Sequence, residues 1–317
     1  MIDWTGTELI MEFPYYKWRD MKTGARVTST MHEFDTKIKG AVKLDNGLTF
    51  NFGLESDKLY SGKSSATAMP GYNPSTNKFT SYSRDIDNTI LTVSGPFAGG
   101  NLMFGRWQNT IWLGVVTKSY YSGAQYGYTS NKLKGHLSYG SPEPDAGSSL
   151  LPTNTSINWG AVDATYSPDK KTDLVGVYYR TRSCNSSYVA ADIYEGGFRR
   201  DMGDGFILYG DYAQSSRTEQ NSAYLLMLNW GKADYKKPES HAWYIMDIYN
   251  GKNASLKSNY DLKDYTYGQK GITLLYQYVP KKNIRYTSEY ISAKPIDKAN
   301  ANYTRIRWFY WEVEFFY

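Results

Sequence analysis

The stretch that most constrains this chain is its last one, Trp-Phe-Tyr-Trp-Glu-Val-Glu-Phe-Phe-Tyr from Trp308 to Tyr317. Aromatic and β-branched residues at this density favour extended backbone over helix. At period two, Phe309, Trp311, Val313, Phe315 and Tyr317 share one face, while Tyr310, Glu312, Glu314 and Phe316 share the other. One row is apolar throughout and the opposite row carries charge. A soluble sandwich would bury the apolar row in a core, whereas a membrane-spanning barrel would turn it to lipid and the charged row to a watery lumen.

Composition narrows the choice. A membrane helix needs roughly 20 consecutive apolar residues, and Leu225-Leu226-Met227-Leu228 is among the longest aliphatic runs here. With 31 Tyr, 9 Trp and 28 Gly and a mean hydropathy of -0.59, the chain is no bundle of membrane helices. A barrel stays open, because every second residue of its strands is polar. The net charge of +5, with no compact basic block, gives no reason to expect a nucleic-acid partner. A single cysteine, Cys184, rules out an internal disulfide and a thiolate metal cluster, and no cofactor is expected. The opening Met1-Ile-Asp-Trp-Thr lacks the basic start and apolar stretch of a signal peptide, which suggests a mature form or fragment of an exported protein.

Taken in order, Leu9, Met11 and Phe13 alternate with Glu8, Ile10 and Glu12 in a first strand. A polar, aromatic stretch over 14–26 precedes a long strand over 28–44, with Glu33, Asp35, Lys37, Lys39 and Lys43 on one parity. Asp45-Asn46-Gly47 is a tight hairpin signal. Residues 60–76, rich in Ser, Gly, Pro and Asn, read as a long loop. From there short turns (95–100, 168–171, 200–205, 280–283) alternate with longer polar stretches (141–156, 250–264, 293–302). One short rim and one long rim is the habit of a membrane barrel, and under that rule the chain holds about 16 antiparallel strands if a hairpin is accepted at 125–139. The dyad recurs: Tyr224, Leu226, Leu228 and Trp230 oppose Ala223, Leu225, Met227 and Asn229, and Ile272, Leu274, Tyr276 and Tyr278 oppose Gly271, Thr273, Leu275 and Gln277. Trp159, Tyr166, Tyr212, Tyr278 and Trp311 lie near strand ends, where interfacial girdles belong. The alternative is that Tyr and Trp simply favour strands.

Catalysis finds little support. His32, His136 and His241 stand in strand-like or loop contexts without a nucleophile motif. Asp201, Asp204 and Asp211 lie around a turn but lack calcium-loop spacing, and the sequons at Asn154 and Asn185 match by chance often enough to carry nothing. No catalytic and no metal residue is assigned.

About 16 strands, the rim asymmetry and the terminal Phe315-Phe316-Tyr317 cover nearly the whole chain, and the pattern is similar to the trimeric general porins of bacterial outer membranes. The Tyr-rich, Cys-poor barrel also resembles the C-terminal barrel of OmpM-type porins, whose family carries a surface-layer-homology domain and a stalk as an N-terminal periplasmic tether. The resemblance implies one all-β domain over 1–317, an antiparallel transmembrane barrel in outer-membrane lipid, and a homotrimer packed through its first and last strands. It also implies that the apolar terminal row Val313, Phe315 and Tyr317 is an assembly signal.

In general porins the loop after the fifth strand folds inward and narrows the pore. Residues 106–123, with Arg106, Trp107, Asn109, Thr110 and Lys118, look like that constriction loop; the alternative is two ordinary short strands with a tight turn. The expected pore-lining bases are Lys37, Lys39, Lys43, Arg180, Arg182 and Arg285, with Glu55, Asp247, Glu289, Glu312 and Glu314 supplying the opposite sign. The implied function is a passive diffusion channel for small hydrophilic solutes and ions with mild anion preference. Three other readings stay beside it: a sugar-selective porin, a barrel hydrolase and a soluble carbohydrate-binding β protein.

Overall fold

The computed structural model describes residues 2–20, 26–64, 72–73, 78–79, 82–83, 88–143, 150–151, 156–183, 185, 188–260, 268–301 and 303–317. Sixteen strands, each antiparallel to its neighbours, form one sheet that closes on itself. The first, β1, runs Ile2–Glu12 and continues past Phe13 and Pro14 as Tyr15–Asp20 between the same two neighbours. Proline has no N–H for the ladder. Phe13 N still donates to Trp311 O at 2.8 Å, so the strand is interrupted and not ended. The polar, aromatic stretch over 14–26 is therefore strand as far as Asp20; residues 21–25 lie outside the described ones.

The chain then turns back in β2 (Arg26–Lys43) and β3 (Thr49–Ser64), joined by the expected Asp45-Asn46-Gly47 turn, where Gly47 takes a φ of +82°. The loop expected over 60–76 begins later, because β3 extends to Ser64; most of residues 65–76 lie outside the described ones. Next come β4 (Asn88–Phe97), β5 (Gly100–Thr110), β6 (Lys118–Thr129) and β7 (Leu133–Pro142), so the region read as a hairpin at 125–139 is the β6–β7 pair. The remainder is a meander of β8 (Ile157–Asp169), β9 (Thr172–Ser183), β10 (Ala191–Gly203), β11 (Phe206–Ser215) and β12 (Ser222–Gly231), followed by β13 (His241–Asn250), β14 (Gln269–Lys281), β15 (Ile284–Pro295) and β16 (Tyr303–Phe316).

The rims are unequal as the turn chemistry suggests. Two-residue steps at 98–99, 170–171, 204–205 and 282–283 lie on one rim, and the longer connections lie on the other. The exception on the short rim is 232–240. It folds back so that Tyr235 stacks on Phe316 with centroids 4.4 Å apart and Tyr235 O accepts from Asn283 N at 2.6 Å.

Alternation sorts side chains to two surfaces. Leu91, Leu137, Leu226, Ile245, Ile272 and Leu274 are exposed on the outside, a surface that only lipid would cover cheaply. Tyr166, Tyr212 and Trp311 join that outer surface, and Trp230 stacks with Phe206 near the short rim. Trp159 does not. It is fully buried on the inside, paired across the ladder with Gly140, and its assignment to an outer girdle is corrected. Its parity sets it with Ile157 and Ala161, the inward row of β8.

The seam is between β1 and β16. Leu9 faces Phe315, Met11 faces Val313 and Glu12 faces Glu312, and beyond the ladder Tyr317 N donates to Thr7 O at 2.9 Å. Deleting Phe315, Phe316 and Tyr317 removes the last rungs of this seam and the ring under Tyr235. We expect the truncated chain to give no heat-modifiable barrel in outer-membrane fractions, scored by gel mobility with and without boiling; normal yields would refute the dependence of closure on the terminus.

Candidate functional site

The ends of β5 and β6 leave the wall. The last rung joining β4 to β5 is Leu91–Arg106, and the last joining β6 to β7 is Tyr121–Pro142. Beyond these, the ladder rungs of 107–110 and 118–120 are with each other, Glu143 N still donating to Tyr120 O at 2.8 Å, and 111–117 close the tip. The tip is buried although it belongs to the long rim: Ile111, Val115, Val116 and Thr117 are almost wholly inaccessible. A hairpin arm therefore enters the lumen.

Its two faces differ. Trp107 and Tyr121 point toward β8, where Tyr121 packs on Trp159 with ring centroids 4.3 Å apart. Full burial of such rings contributes on the order of 3 kcal/mol each. The tip residues Ile111, Val115 and Val116 join Val175, Val177, Ile193, Leu225, Met227 and Ile248, the inward rows of β9, β10, β12 and β13. Trp112 holds a left-handed backbone (φ +51°) and lays its indole on Gly197, where a Cβ would stand 2.6 Å from Nε1. Only glycine leaves room for that contact.

A second segment locks the arm. Residues 251–260 fold inward from the rim beyond β13. Leu256 N and Lys257 N donate to Val116 O (2.9 and 3.2 Å), Lys118 N donates to Lys257 O (2.6 Å) and Asn259 N donates to Gly114 O (2.8 Å). Lys118 Nζ also donates to Asn259 Oδ1 at 2.9 Å. The segment is held to the wall in turn, with Asn253 N donating to Gln220 O at 3.1 Å and Gly251 N to Ser222 O at 3.0 Å.

The opposite face of the arm looks toward β1–β4 across a cavity of about 130 Å³. Gln108, Lys118 and Tyr120 line it from the arm, and Glu8, Lys37, Lys39 and Glu55 from the wall. Lys37 Nζ lies 2.9 Å from Glu55 Oε1, and Tyr120 OH donates to Glu55 Oε2 at 3.1 Å. Further round, Arg285 makes a two-pronged ion pair with Glu314 on the inner face of β15 and β16. The lumen is thus apolar where the arm rests and charged where it does not.

No protein-family model and no curated protein matches this sequence. Solved structures do match over the whole barrel. Pseudomonas putida OprB, solved at high pH, aligns with 100% of this chain and 94% of its own, at TM-score 0.64 and 9% identity. Pseudomonas aeruginosa OccK7 (OpdD) aligns over 98% of both chains at TM-score 0.56 and 11% identity, and a variant of the Rh. blastica porin over 100% of both at 0.56 and 12%. The fold is that of the porins.

Within that porin fold, Lys37, Lys39 and Lys43 lie on the inward parity of β2, with Lys43 at the short rim. Glu55, Arg285, Glu289 and Glu312 are inward as well. Three residues expected in the pore stand outside it. Arg180 and Arg182 alternate with the buried Tyr179 and Thr181, so they face outward, and Arg180 pairs with Asp192 at 3.5 Å. Asp247 is exposed between the buried Met246 and Ile248, and Tyr224 OH donates to it at 3.4 Å. The reason is common to all three: the charged row of these strands is the outer one, because their inner row is apolar and packs on the arm. Of the residues read as a constriction loop, Arg106, Trp107, Asn109 and Thr110 are in β5 and Lys118 opens β6, so both readings of 106–123 meet in one object, a strand hairpin bent inward. Arg106 pairs with Glu143 at 3.2 Å. Val313, Phe315 and Tyr317 stand on the outward parity of β16.

Sequence reasoning missed the 251–260 segment and the buried Glu195 and Asp211. Tyr179 OH donates to Glu195, but Glu195 Oε1 and both Asp211 oxygens have no hydrogen-bonding partner among the described residues. A sequence signal for the apolar seat existed: β9, β12 and β13 carry apolar residues on both parities, the mark of a strand covered on both faces. His136 Nδ1 sits 2.9 Å from Asp163 on the inner wall, while its Nε2 has no partner among the described residues, so nothing there resembles a nucleophile–base pair.

Gly197→Val places a branched side chain where the Trp112 indole lies. Overpacking of this kind costs about 1–3 kcal/mol, here directed at the arm tip, and we expect a folded barrel with altered and noisier single-channel conductance. Identical traces for variant and parent would show that the tip does not govern the passage.

Proposed function

We propose that the protein is a passive diffusion channel for small hydrophilic solutes and ions in an outer membrane. The observation that carries this reading is the division of the lumen. The arm rests on the apolar seat of β8–β13 and leaves, on its other side, a space walled by charged side chains. A wall of fixed charges in a low-dielectric frame acts on every passing ion and needs no chemistry to do so. The similarity of the barrel to the porin structures supports the same reading.

Selectivity in this proposal is set where the arm approaches β2 and β3. Lys37, Lys39 and Lys118 meet Glu8 and Glu55 there, and Lys37 is already paired with Glu55. Lys39 makes no ion pair among the described residues. A small positive excess at the narrow level favours anions mildly, and Glu289 and Glu312 on the inner face of β15 and β16 offset part of it, Glu314 being paired with Arg285.

Stepwise conductance in planar bilayers tests the channel itself; a folded protein without steps would end the proposal. In a salt gradient, Lys37→Gln/Lys39→Gln is expected to move the reversal potential toward cations, most at low salt where the screening length is longest. The outward pair Arg180→Ser/Arg182→Ser should leave it unchanged. The reverse pattern would place the selective level elsewhere.

The same proposal includes a homotrimer packed through β1 and β16, whose outer rows carry Leu9, Met11, Phe309 and Trp311 side by side. In mild detergent the native protein mass should be three times the 36.2 kDa of one chain, and a single-chain mass would remove the trimer.

A further inference from the structure

The cavity between the arm and β1–β3 holds two opposite charges that the described residues do not match. Of its lysines, Lys37 is neutralised by Glu55, and Lys118 Nζ donates to the Asn259 side chain. Lys39 and Glu8 line the same space, and neither makes an ion pair among the described residues. The next acid round the wall, Glu314, is engaged by Arg285. The Gln108 amide reaches in from the arm and also has no hydrogen-bonding partner among the described residues.

Register holds the two charges near each other without letting them join. Glu8 faces Lys37 and Gly6 faces Lys39 across the β1–β2 ladder, so Glu8 and Lys39 are diagonal neighbours. Such neighbours stand roughly 7–8 Å apart, within reach of one small molecule between two long side chains. Lys39 also faces Gly53 on β3, which puts a glycine on each side of it. A Cβ at Gly6 would meet nothing within 4 Å, and one at Gly53 would stand 3.4 Å from Lys39 Cγ and 3.3 Å from Ile90. The absent side chains leave room beside Lys39, and Ile90 gives that room one apolar wall.

Size and charge together narrow the occupant. An engineered cavity of roughly 150 Å³ takes one benzene, so the 130 Å³ here suits a solute of similar bulk. A simple anion would satisfy Lys39 and be repelled by Glu8, and a simple cation would meet the reverse. A molecule with an ammonium and a carboxylate on one carbon answers both through charge-assisted hydrogen bonds.

We propose that this cavity is a binding site for small α-amino acids. The carboxylate lies on Lys39 and the Gln108 amide, the ammonium group on Glu8, and a short side chain against Ile90. Such a site rests on the reading of the barrel as a diffusion channel and adds to it a class of solute whose passage saturates. Because the occupant has no net charge, the mild anion preference is the same with the site empty or filled.

The test records single-channel currents of the full chain in planar bilayers with L-serine, with ethanolamine and glycolate, which each keep one of its charges, and with glycerol, which keeps neither. L-Serine should reduce the current saturably, at about tenfold lower concentration than either singly charged analogue, the scale of one hydrogen bond to a charged group. L-Tryptophan, too bulky for the cavity, should not match it. Lys39→Gln and Glu8→Gln should each weaken the serine effect by about tenfold with conductance steps preserved, while Arg180→Ser/Arg182→Ser on the outer wall should respond like the parent. The two inner variants are read separately, so if Glu8→Gln, beside the closing seam, does not fold, Lys39→Gln decides alone. An unsaturable effect, equal effects of serine and glycerol, or a parent-like response in folded Lys39→Gln would each overturn the site. Glycolate acting as strongly as serine would overturn it in favour of a simple anion site. Conductance steps without any of these differences would remove the amino-acid site and leave the channel standing, whereas a folded protein without steps would end the channel reading itself and the site with it.

Discussion

Everything here depends on the pairing of backbone groups in a medium that offers none. Within hydrocarbon an unpaired N–H or C=O costs several kcal/mol, so a sheet can cross only if it has no edge. The β1–β16 seam removes the edge, and each strand can then present one row to lipid and one to the lumen. Pro14 shows how tight the constraint is: it interrupts β1 at a point where Phe13 still donates to Trp311, and pairing resumes at Tyr15. Once closed, the wall can tolerate variety inside because the ladder alone holds its shape.

That tolerance is used unevenly. The inward rows of β9, β12 and β13 are largely apolar over the stretch that meets the arm, and β10 adds Ile193, side chains that in an open pore would face water to no benefit. They make sense as a seat for the arm and for 251–260, which together give half the lumen the character of a protein core. The charged rows of β1–β3 stay free of it, while β15 and β16 contribute Ile291, Ala293 and Trp308 to that core. A hairpin pressed to one side by burial needs no tether to keep the other side clear, so the position of the passage follows from where the methyl groups are.

The fold was readable in the sequence because it is set by period and punctuation. The Trp308–Tyr317 dyad, the Asp45-Asn46-Gly47 turn and the alternation of short with long connections specify strands, faces and rims without tertiary knowledge. The site was readable only in part. Lys37, Lys39 and Glu55 follow from parity on strands whose apolar row is unambiguous. For Arg180, Arg182 and Asp247 parity fails, because Tyr179 or Ile248 beside them makes either row a candidate for lipid, and the deciding partner is an arm more than 50 residues away in sequence. Trp159 misleads for the same reason. The 251–260 segment is polar by composition and buried by backbone hydrogen bonds to 114–118, a kind of attachment that leaves no trace in side-chain pattern.

The arm's attachment differs in kind along its length. Near its base, Trp107 and Tyr121 pack on Trp159 in an apolar setting, although the Nε1 atoms of Trp107 and Trp159 have no hydrogen-bonding partner among the described residues. At the tip costs are mixed with gains. Trp112 holds a left-handed backbone that costs a non-glycine residue of order 1 kcal/mol or more, its Nε1 has no hydrogen-bonding partner among the described residues, and it rests on Gly197, whose cross-strand partner is Asp211. Asp211 and Glu195 are buried carboxyl groups with three oxygens unmatched among the described residues, and such groups weaken a core that an apolar pair of equal volume would strengthen. The backbone hydrogen bonds with 251–260 fall on the tip, at Gly114, Val116 and Lys118, and offset these costs. The arm is therefore held along its whole length, by ring packing on Trp159 where it leaves the wall and by apolar burial and backbone hydrogen bonds to 251–260 at the tip.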